Sequence, residues 1–292
     1  MASLRAPAKL NLTLEVLGRR SDGYHRLRSV MVPVTLYDQI TIERADGELR
    51  FRSNSAEIDP QDNLVVRALR ALELPRYDLD VFLDKRIPIG AGLGGGSSDA
   101  AAVLEAAMSG TLGNVGVKDF LGIARRLGSD VPFFLAQTAA LVEGTGERVT
   151  PLGAPPDWGC TIVRPPITVL TADAYAELDR FPQRERPRPQ SATIELAEAL
   201  QRHDLKRVLD LAQNDFEMPA VRAHSQIGQA LELVSAWNGG FAKLTGSGAA
   251  VYTLYERPPS ETLALPPSFE RFDARFLGTP AWRTPSTMKG GR

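Results

Sequence analysis

The sequence predicts an α+β protein built from two domains. Its 292 residues exceed the usual size of one small domain, and the length suggests about two hydrophobic cores. Segments with apolar residues at every second position, as in strands, are interleaved with segments whose apolar residues recur at helical spacing. Residues 153–157, Gly-Ala-Pro-Pro-Asp, interrupt both patterns. We therefore expect one domain over residues 1–153 and a second over residues 154–292.

Strands dominate the predicted N-terminal domain. The leucines between positions 10 and 14 alternate with polar residues, so Lys9 and Asn11 share the opposite face of the first strand. Asn63 is suited to cap the helix that follows it. The other predicted elements are strands at 30–37, 39–44 and 79–83, an Asp46-Gly47 hairpin turn into a strand at 48–52, and helices at 64–72, 100–108 and 119–127.

The predicted C-terminal domain contains more helices than strands. Residues 181–190 are rich in proline and arginine and predict a mobile loop, and the polar tail after Pro280 predicts disorder. Residues 245–248, Thr-Gly-Ser-Gly, predict a tight connection between two late strands. The predicted elements are strands at 160–163, 241–244 and 249–255, and helices at 172–178, 193–200, 205–211 and 226–237.

The composition argues against several classes of protein. Lys and Arg total 34 and Asp and Glu total 35, which gives no basic surface suited to nucleic acid or an anionic membrane. A single cysteine, Cys160, excludes a disulfide within the chain. No stretch approaches the ~18 apolar residues of a membrane span, and Lys9, Asn11 and Glu15 interrupt what would be the apolar core of a signal peptide. We therefore expect a cytoplasmic protein, with its oligomeric state left open.

A glycine-rich segment predicts a phosphate-binding loop. Residues 87–99 contain five glycines and lead directly into the helix predicted at 100–108. Glycine lets backbone N–H groups approach a ligand closely, and the N-terminus of the following helix adds a positive dipole end. The segment has neither the Gly-Lys-Ser/Thr of a Walker A loop nor the setting of a dinucleotide fingerprint. A flexible linker or a tight turn is the alternative interpretation.

Three separated segments resemble the motifs of the galactokinase, homoserine kinase, mevalonate kinase and phosphomevalonate kinase (GHMP kinase) superfamily. They are residues 7–12 (Pro-Ala-Lys-Leu-Asn-Leu), residues 88–98, called the phosphate loop below, and residues 244–248 (Leu-Thr-Gly-Ser-Gly). Within the superfamily, the chain is most similar to the kinases that act on cytidine-diphosphate-linked methylerythritol. The segments that resemble this family in particular are residues 18–25, 62–65, 128–134 and 214–217.

The resemblance implies a fold and a reaction. The N-terminal domain would be an α/β domain of a type also found in a ribosomal protein, and the C-terminal domain would be a ferredoxin-like α+β domain. The active site would lie in the cleft between them. The reaction would transfer the γ-phosphoryl group of ATP, accompanied by Mg²⁺, to the C2 hydroxyl of the small-molecule substrate, cytidine-diphosphate-linked methylerythritol.

The resemblance also implies roles for individual residues. Asp130 would be the general base, and Lys9 would lie beside it, where an ammonium keeps a carboxylate ionised and stabilises a developing alkoxide. The residues implied around the nucleotide are Asn63, Lys85, Pro88, Gly90, Gly92, Gly94, Gly95, Gly96, Ser97 and Ser98. Those implied around the substrate are Asn11, Thr171, Thr245, Gly246 and Ser247, together with Tyr24, His25 and Tyr175 at the cytosine ring.

Structural roles are the alternatives for several of these residues. Asp130 lies in a Gly-Ser-Asp sequence typical of turns, and Lys9 could end a solvated strand. A helix cap is the alternative for Asn63, and a turn between strands is the alternative for residues 245–247. Asp99 could reach Mg²⁺ or stabilise the helix dipole, and the sequence assigns no metal ligand.

Three rival functions share some of these features. A sister kinase or a diphosphate decarboxylase of the superfamily would have the same loops, but should lack the Asp-Gly-Tyr-His segment at residues 22–25. A non-catalytic nucleotide-binding protein would not need both Lys9 and Asp130. A nucleic-acid-binding protein would share the fold of the N-terminal domain, but the net charge of -1 argues against it.

Overall fold

The computed structural model describes residues 1–74, 78–113, 115–180 and 192–278, and within them the chain is an α+β protein, as predicted. Its strands are β1 (Ala2–Asn11), β2 (Thr13–Arg19), β3 (His25–Arg44), β4 (Arg50–Ser53), β5 (Leu79–Asp84), β6 (Ala139–Gly144), β7 (Arg148–Gly153), β8 (Gly159–Arg164), β9 (Gln213–Asn214), β10 (Lys243–Leu244), β11 (Val251–Tyr255) and β12 (Glu270–Arg275). Its helices are α1 (Leu64–Ala71), α2 (Gly95–Met108), α3 (Phe120–Leu127), α4 (Val131–Ala136), α5 (Thr171–Arg180), α6 (Ala192–Gln201), α7 (Leu205–Leu211), α8 (Glu217–Ala223) and α9 (Ser225–Trp237).

The first sheet is organised around the long strand β3. β1 pairs antiparallel with β3 residues 31–42 along one edge, and β2 continues that edge at residues 25–28. On the opposite edge, β6 pairs with residues 27–31 and β5 with residues 39–44. β7 lies beyond β6, and β4 lies beyond β5. β1 therefore ends beside the centre of the sheet, which fixes the positions of Lys9 and Asn11.

A second sheet has four antiparallel strands in the order β10-β11-β8-β12. All four strands follow residue 153, whereas β1 to β7 precede residue 154. The two-residue strand β9 crosses this division, because it pairs in parallel with Thr13 and Leu14 of β2. We retain residues 1–153 and 154–292 as the proposed domains, joined by this short pairing.

Helix α2 places the phosphate loop beside β1. It begins at Gly95, within the run of glycines and five residues before the start predicted at position 100, and it packs against β1, α1, α3 and α4. Its alanine-rich middle is buried, and such small side chains favour both the helix and close packing. The backbone N–H of Lys9 donates to the carbonyl oxygen of Leu93 at 3.0 Å. The start of α2 and the end of β1 are therefore in direct contact.

Two strand predictions are wrong. The strands expected at 30–37 and 39–44 are one strand, because Asp38 between them is buried and pairs with Ala6 in the ladder. The segment after Gly47 does not form the predicted hairpin with β3. Its strand, β4, pairs in parallel with β5, because β5 occupies that edge of β3.

Apart from the start of α2, the predicted helix boundaries agree with the structure to within two residues. Asn63 caps α1, accepting a hydrogen bond from the Val66 N–H at 3.0 Å, and α3 ends at Gly128. Among the described residues, every helix is too short or too polar to cross a bilayer. The loop predicted at 181–190 and the tail predicted after Pro280 lie outside the described residues.

Candidate active site

A cavity of about 1240 Å³ brings together residues from Lys9 to Ser247. All of the predicted site residues line it except Ser98 and Thr245. Residues that the sequence analysis did not assign to the site also line it, among them Arg19, Asp179 and Phe216. The cavity contains both the phosphate loop and the predicted cytosine site, so one ligand or two adjacent ligands can contact both.

The phosphate loop ends at a helix N-terminus that is open to the cavity. Gly94 is the N-cap residue of α2 and has a left-handed φ of 72°. Gly95, Gly96 and Ser97 follow it and line the cavity. N–H groups in the first turn of a helix have no acceptor within that helix, and the positive end of the helix dipole lies at the same place. This geometry suits a phosphate group.

The phosphate loop and the loop at 245–247 touch through their backbones. A Cβ atom on Gly92, whose φ is +75°, would lie 2.2 Å from the carbonyl oxygen of Thr245. A Cβ atom on Gly246 would lie 2.7 Å from the carbonyl oxygen of Gly92. Glycine is therefore needed at position 92 for its conformation and for this close approach. The contact places the C-terminal loop on the phosphate loop.

Lys9 and Asp130 form an ion pair in the cavity. Lys9 Nζ lies 3.8 Å from Asp130 Oδ2, with side chains that are 4% and 25% exposed. This distance exceeds that of a hydrogen bond, so both groups can still bind a substrate hydroxyl. Burial lowers the pKa of Lys9, and the nearby Asp130 carboxylate offsets part of that lowering. The alternative of a solvated strand end is wrong for Lys9, because its side chain is buried. Asp130 lies at the start of α4, but its side chain makes no capping hydrogen bond to that helix.

Asn11 holds the Lys9 ammonium in place. Its side-chain oxygen accepts a hydrogen bond from Lys9 Nζ, and its Nδ2 donates to Ser29 Oγ at 2.8 Å. Its backbone N–H donates to Thr245 Oγ1 at 3.1 Å, and its carbonyl oxygen accepts from the Tyr252 hydroxyl at 3.0 Å. Each polar group of Asn11 therefore has a partner within the protein, and its predicted contact with the substrate stays a prediction.

A buried triad formed by Asp38, Lys85 and Asp99 lies beside the phosphate loop. Lys85 Nζ donates to Asp38 and, at 3.0 Å, to Asp99 Oδ2. Asp38 also accepts from the backbone N–H groups of Arg86 at 2.6 Å and Ile87 at 2.8 Å. Burial alone would lower the pKa of Lys85, but the two carboxylates outweigh it and raise that pKa. Lys85 is therefore fixed by the protein itself.

Asp99 has one oxygen atom that the triad leaves unused. Burial raises the pKa of Asp99 to about 8; Lys85 offsets part of this rise, and Asp38 adds to it. Asp99 Oδ1 has no hydrogen-bond partner among the described residues, although the residue is only 2% exposed and lines the cavity. A buried oxygen of this kind is suited to a ligand.

Aromatic side chains form the other end of the cavity. The ring of His25 stacks on that of Tyr175, with centroids 4.6 Å apart and an interplanar angle of 15°. Tyr175 in turn contacts the edge of Phe216, at a centroid distance of 4.9 Å. Tyr24 is 67% exposed and lines the cavity. His25 and Tyr175, which are far apart in sequence, are thus brought together as expected, and Tyr24 is left free to stack on a ligand.

Two predicted contact residues lie behind the cavity. Ser98 is buried, and its backbone N–H donates to Gly94 O at 2.9 Å within α2. Thr245 is fully buried, and its hydroxyl accepts from the backbone of Asn11. In this structure, therefore, Thr245 supports Asn11 and does not line the cavity. Asn63 caps α1 and also lines the cavity, so both of its proposed roles are compatible.

Sequence reasoning missed Asp38 and Asp179. Asp38 contacts Lys85 across 47 positions, and Asp179 contacts His25 across 154 positions, so no local motif links either pair. The one available signal was the spacing of Asp179 from Tyr175, because residues four apart share a helix face.

Family models match both halves of the chain. The model of the GHMP kinases N terminal domain matches residues 63–138, and the model of the GHMP kinases C terminal region matches residues 196–265. The first match includes the phosphate loop and Asp130, and the second includes the loop at 245–247.

Curated relatives match most of the chain. The 4-diphosphocytidyl-2-C-methyl-D-erythritol kinase of Alkaliphilus metalliredigens is 37% identical over 262 residues, which are 87% of this chain and 87% of that protein. The enzyme of the same name from Symbiobacterium thermophilum is 40% identical over 251 residues, which are 84% of this chain and 87% of that protein.

Solved structures confirm the expected GHMP kinase fold. A crystal structure of 4-(cytidine 5'-diphospho)-2C-methyl-D-erythritol kinase superposes with a TM-score of 0.71 at 34% identity, over 87% of this chain and 90% of that chain. Homoserine kinase from Cytophaga hutchinsonii, at 20% identity, superposes with a TM-score of 0.64 over 88% of this chain and 86% of that chain, and shares the fold. From the two family models and these relatives, we conclude that the chain belongs to the 4-diphosphocytidyl-2-C-methyl-D-erythritol kinase family of the GHMP kinases.

Proposed function

We propose that this chain transfers the γ-phosphoryl group of ATP to the C2 hydroxyl of 4-(cytidine 5'-diphospho)-2-C-methyl-D-erythritol, a step of the non-mevalonate route to isoprenoid precursors. The observation that supports this most directly is the position of the Lys9–Asp130 pair. The pair shares one cavity with a helix N-terminus suited to phosphate and with aromatic side chains suited to a base.

Asp130 is the general base in this proposal. Its carboxylate is partly exposed, lines the cavity and is not used to cap α4. It can accept the proton of the attacking hydroxyl while the oxygen approaches the γ-phosphorus. Phosphoryl transfer needs little covalent help, so correct placement of the two reactants provides most of the acceleration.

Lys9 stabilises the negative charge that develops as the proton leaves the hydroxyl. Its ammonium is almost completely buried, where a charge interacts more strongly than in water. The hydrogen bond to Asn11 fixes the direction of the ammonium before the substrate arrives. The charge of Lys9 is therefore in place before the reaction begins, and Asn11 contributes by holding the Lys9 ammonium.

The phosphate loop binds the ATP phosphates in this proposal. The first-turn N–H groups of α2, at Gly95, Gly96 and Ser97, are the donors, and Asn63 and Lys85 lie along the same side of the cavity. Because Lys85 is already bound by the side chains of Asp38 and Asp99, its contribution is to hold the start of the loop.

The residues present fit a Mg²⁺ ion that the nucleotide brings with it. Among the described residues, no group of three His, Cys, Asp or Glu side chains could form a metal site by itself. Mg²⁺ in kinases is usually held by one or two carboxylates and by substrate phosphates. Asp99 Oδ1, a buried oxygen atom without a partner among the described residues, belongs to a residue that lines the cavity and is the atom that would hold it. When bound, the ion neutralises charge on the transferring phosphates.

The aromatic end of the cavity binds the cytosine ring in this proposal. Tyr24 supplies an exposed ring for stacking, and His25 supplies a polar ring edge. Tyr175 fixes the plane of the His25 ring from behind. The distance between this end and Lys9 is spanned by the diphosphate and the methylerythritol.

The test is the release of ADP from Mg-ATP in a coupled assay with a panel of acceptors. The panel is the cytidine-diphosphate-linked substrate, mevalonate, phosphomevalonate, mevalonate diphosphate, homoserine and galactose. We expect release with the cytidylyl substrate alone. Release of ADP with another acceptor would be consistent with the superfamily but would contradict the proposed substrate. ATP binding without ADP release for any acceptor would contradict the proposed catalysis.

We expect Tyr24→Ala to weaken binding of the cytidylyl substrate without slowing the chemical step. Stacking of a base on an aromatic side chain is worth about 1–3 kcal/mol, so KM should rise ~5- to 150-fold while kcat changes little. Met218→Ala is the matched control, because Met218 is 66% exposed and does not line the cavity. An unchanged KM in the Tyr24 variant would remove this side chain from the proposed cytosine site.

A further inference from the structure

One carboxylate in the cavity contacts the imidazole that lies at the proposed cytosine site. Asp179 Oδ1 lies 2.8 Å from His25 Nε2, and the His25 side chain is 7% exposed. The second oxygen of Asp179 lies 3.9 Å from a guanidinium nitrogen of Arg19. That guanidinium is 64% exposed, so its ion pair with Asp179 is weak. The hydrogen bond to His25 is therefore the better-defined interaction of Asp179.

Helix α5 and strand β3 present these groups to each other. Tyr175 and Asp179 are one turn apart on α5, so they lie on the same face of the helix. Tyr175 stacks on the face of the imidazole, while Asp179 accepts at its edge. His25 begins β3 and is paired with Arg19 of β2. The stacking fixes the plane of the ring, and the hydrogen bond fixes its rotation within that plane.

The hydrogen bond also determines which ring nitrogen holds the proton. In a neutral imidazole one nitrogen donates and the other accepts. A carboxylate can only accept, so it places the proton on Nε2 and leaves Nδ1 as an acceptor. Nδ1 has no hydrogen-bond partner among the described residues. It is also not among the fully buried atoms that lack a partner, so Nδ1 keeps some exposed surface. His25 lines the cavity, and we infer that Nδ1 is the ring nitrogen that a ligand in the cavity can reach.

We propose that Asp179 is a positioning residue for base selection: by holding the proton of His25 on Nε2, it presents Nδ1 to the substrate as an acceptor for an exocyclic amino group. Cytosine has an amino group at its 4-position, and uracil has a carbonyl oxygen there. A hydrogen-bond acceptor opposite the 4-position accepts from the amino group of cytosine. The same acceptor faces the carbonyl oxygen of uracil, and the lone pairs of the two acceptors repel each other. This inference rests on the proposed function, because it concerns the base of the same substrate.

The first test is a comparison of the cytidine-diphosphate-linked substrate with its uridine analogue. We expect the wild-type kcat/KM ratio to favour the cytidine compound. In Asp179→Leu that ratio should fall ~10-fold, mainly through KM, because the ring can then present either nitrogen as a donor. Asp179→Asn retains an acceptor oxygen, so it should keep the ratio within about threefold of wild type. Glu177→Gln is the control, because Glu177 makes a surface ion pair with Arg180 on the same helix.

The outcomes separate this inference from the proposed function. Wild-type protein that does not phosphorylate the cytidine compound contradicts the proposed function. Normal wild-type activity together with an unchanged ratio of kcat/KM values in Asp179→Leu contradicts only the inference. An equal loss of kcat/KM with the cytidine and uridine compounds also contradicts only the inference. A loss in Asp179→Asn as large as that in Asp179→Leu would show that charge matters and the acceptor does not, which also overturns it.

A second measurement does not depend on activity. The chain has three histidines, so ring ¹⁵N–¹H spectra of the wild-type protein can be assigned with His25→Gln. At about pH 8 we expect a single ring proton on His25, bound to Nε2 and seen as a slowly exchanging low-field signal. A proton on Nδ1 would overturn the proposal.

Discussion

Replacing Asp130 with asparagine should lower kcat ~10²- to 10⁴-fold, the usual value of a general base. The amide has the shape of the carboxylate but cannot accept a proton from the substrate hydroxyl. ATP binding should be largely unchanged, because the phosphate loop is separate from this side chain and Asp130 does not cap α4. The measurement is steady-state kcat together with the dissociation constant for ATP.

Asp119→Asn is the matched control for this variant. Asp119 is the N-cap residue of α3, where it accepts from the Gly122 N–H at 2.8 Å, and it does not line the cavity. Asparagine is an equally good cap, so activity and stability should both be retained. Near-normal turnover in Asp130→Asn would exclude Asp130 as the base.

Replacing Asp38 with leucine should lower the free energy of unfolding by about 3–5 kcal/mol, because it breaks a buried ion cluster from one side. Asp38 is fully buried and accepts from Lys85, from Arg86 N at 2.6 Å and from Ile87 N at 2.8 Å. The variant leaves the buried N–H of Ile87 and the partly buried N–H of Arg86 without their acceptor, and it leaves Lys85 with one carboxyl partner. Urea unfolding followed by tryptophan fluorescence measures the change.

The phosphate loop should be affected in the same variant. Arg86 and Ile87, which lead into the loop, are held by Asp38, so ATP affinity should fall together with stability. Asp157→Asn is the control, because Asp157 forms an ion pair at the surface with Arg275, and we expect no measurable shift of its urea midpoint. If the midpoint of Asp38→Leu matched that of Asp157→Asn, the structural role of the triad would be wrong.

Local patterns were sufficient to predict the elements that hold the reacting groups. Alternation in β1 placed Lys9 and Asn11 on one face, and the run of glycines followed by alanines predicted the loop and α2. Asn63 has the expected capping bond. These features depend on neighbours within a few positions, which is the range that periodicity and capping describe.

Features that depend on distant partners could not be predicted in this way. The sequence predicts a break between two strands at Asp38. In the structure the Lys85 ammonium neutralises the buried Asp38 carboxylate, and β3 continues through this position. β4 pairs with β5 because that edge of β3 is already occupied, which no turn sequence indicates. The hydrogen bonds of Asn11 to Ser29, Thr245 and Tyr252 join positions that lie far apart in the sequence. In each case a contact between separate segments determines the role.

The central claim is the transfer of the γ-phosphoryl group to the C2 hydroxyl, and ³¹P NMR of the reaction product tests it most directly. The C2 carbon carries a methyl group and no hydrogen, so a phosphate on its oxygen has no three-bond coupling to a proton. After incubation with Mg-ATP and the cytidylyl substrate, we expect a phosphomonoester signal without such coupling, beside an intact cytidine diphosphate pair. A coupled phosphomonoester would show that another hydroxyl is the acceptor, and inorganic phosphate alone would contradict the proposed kinase activity.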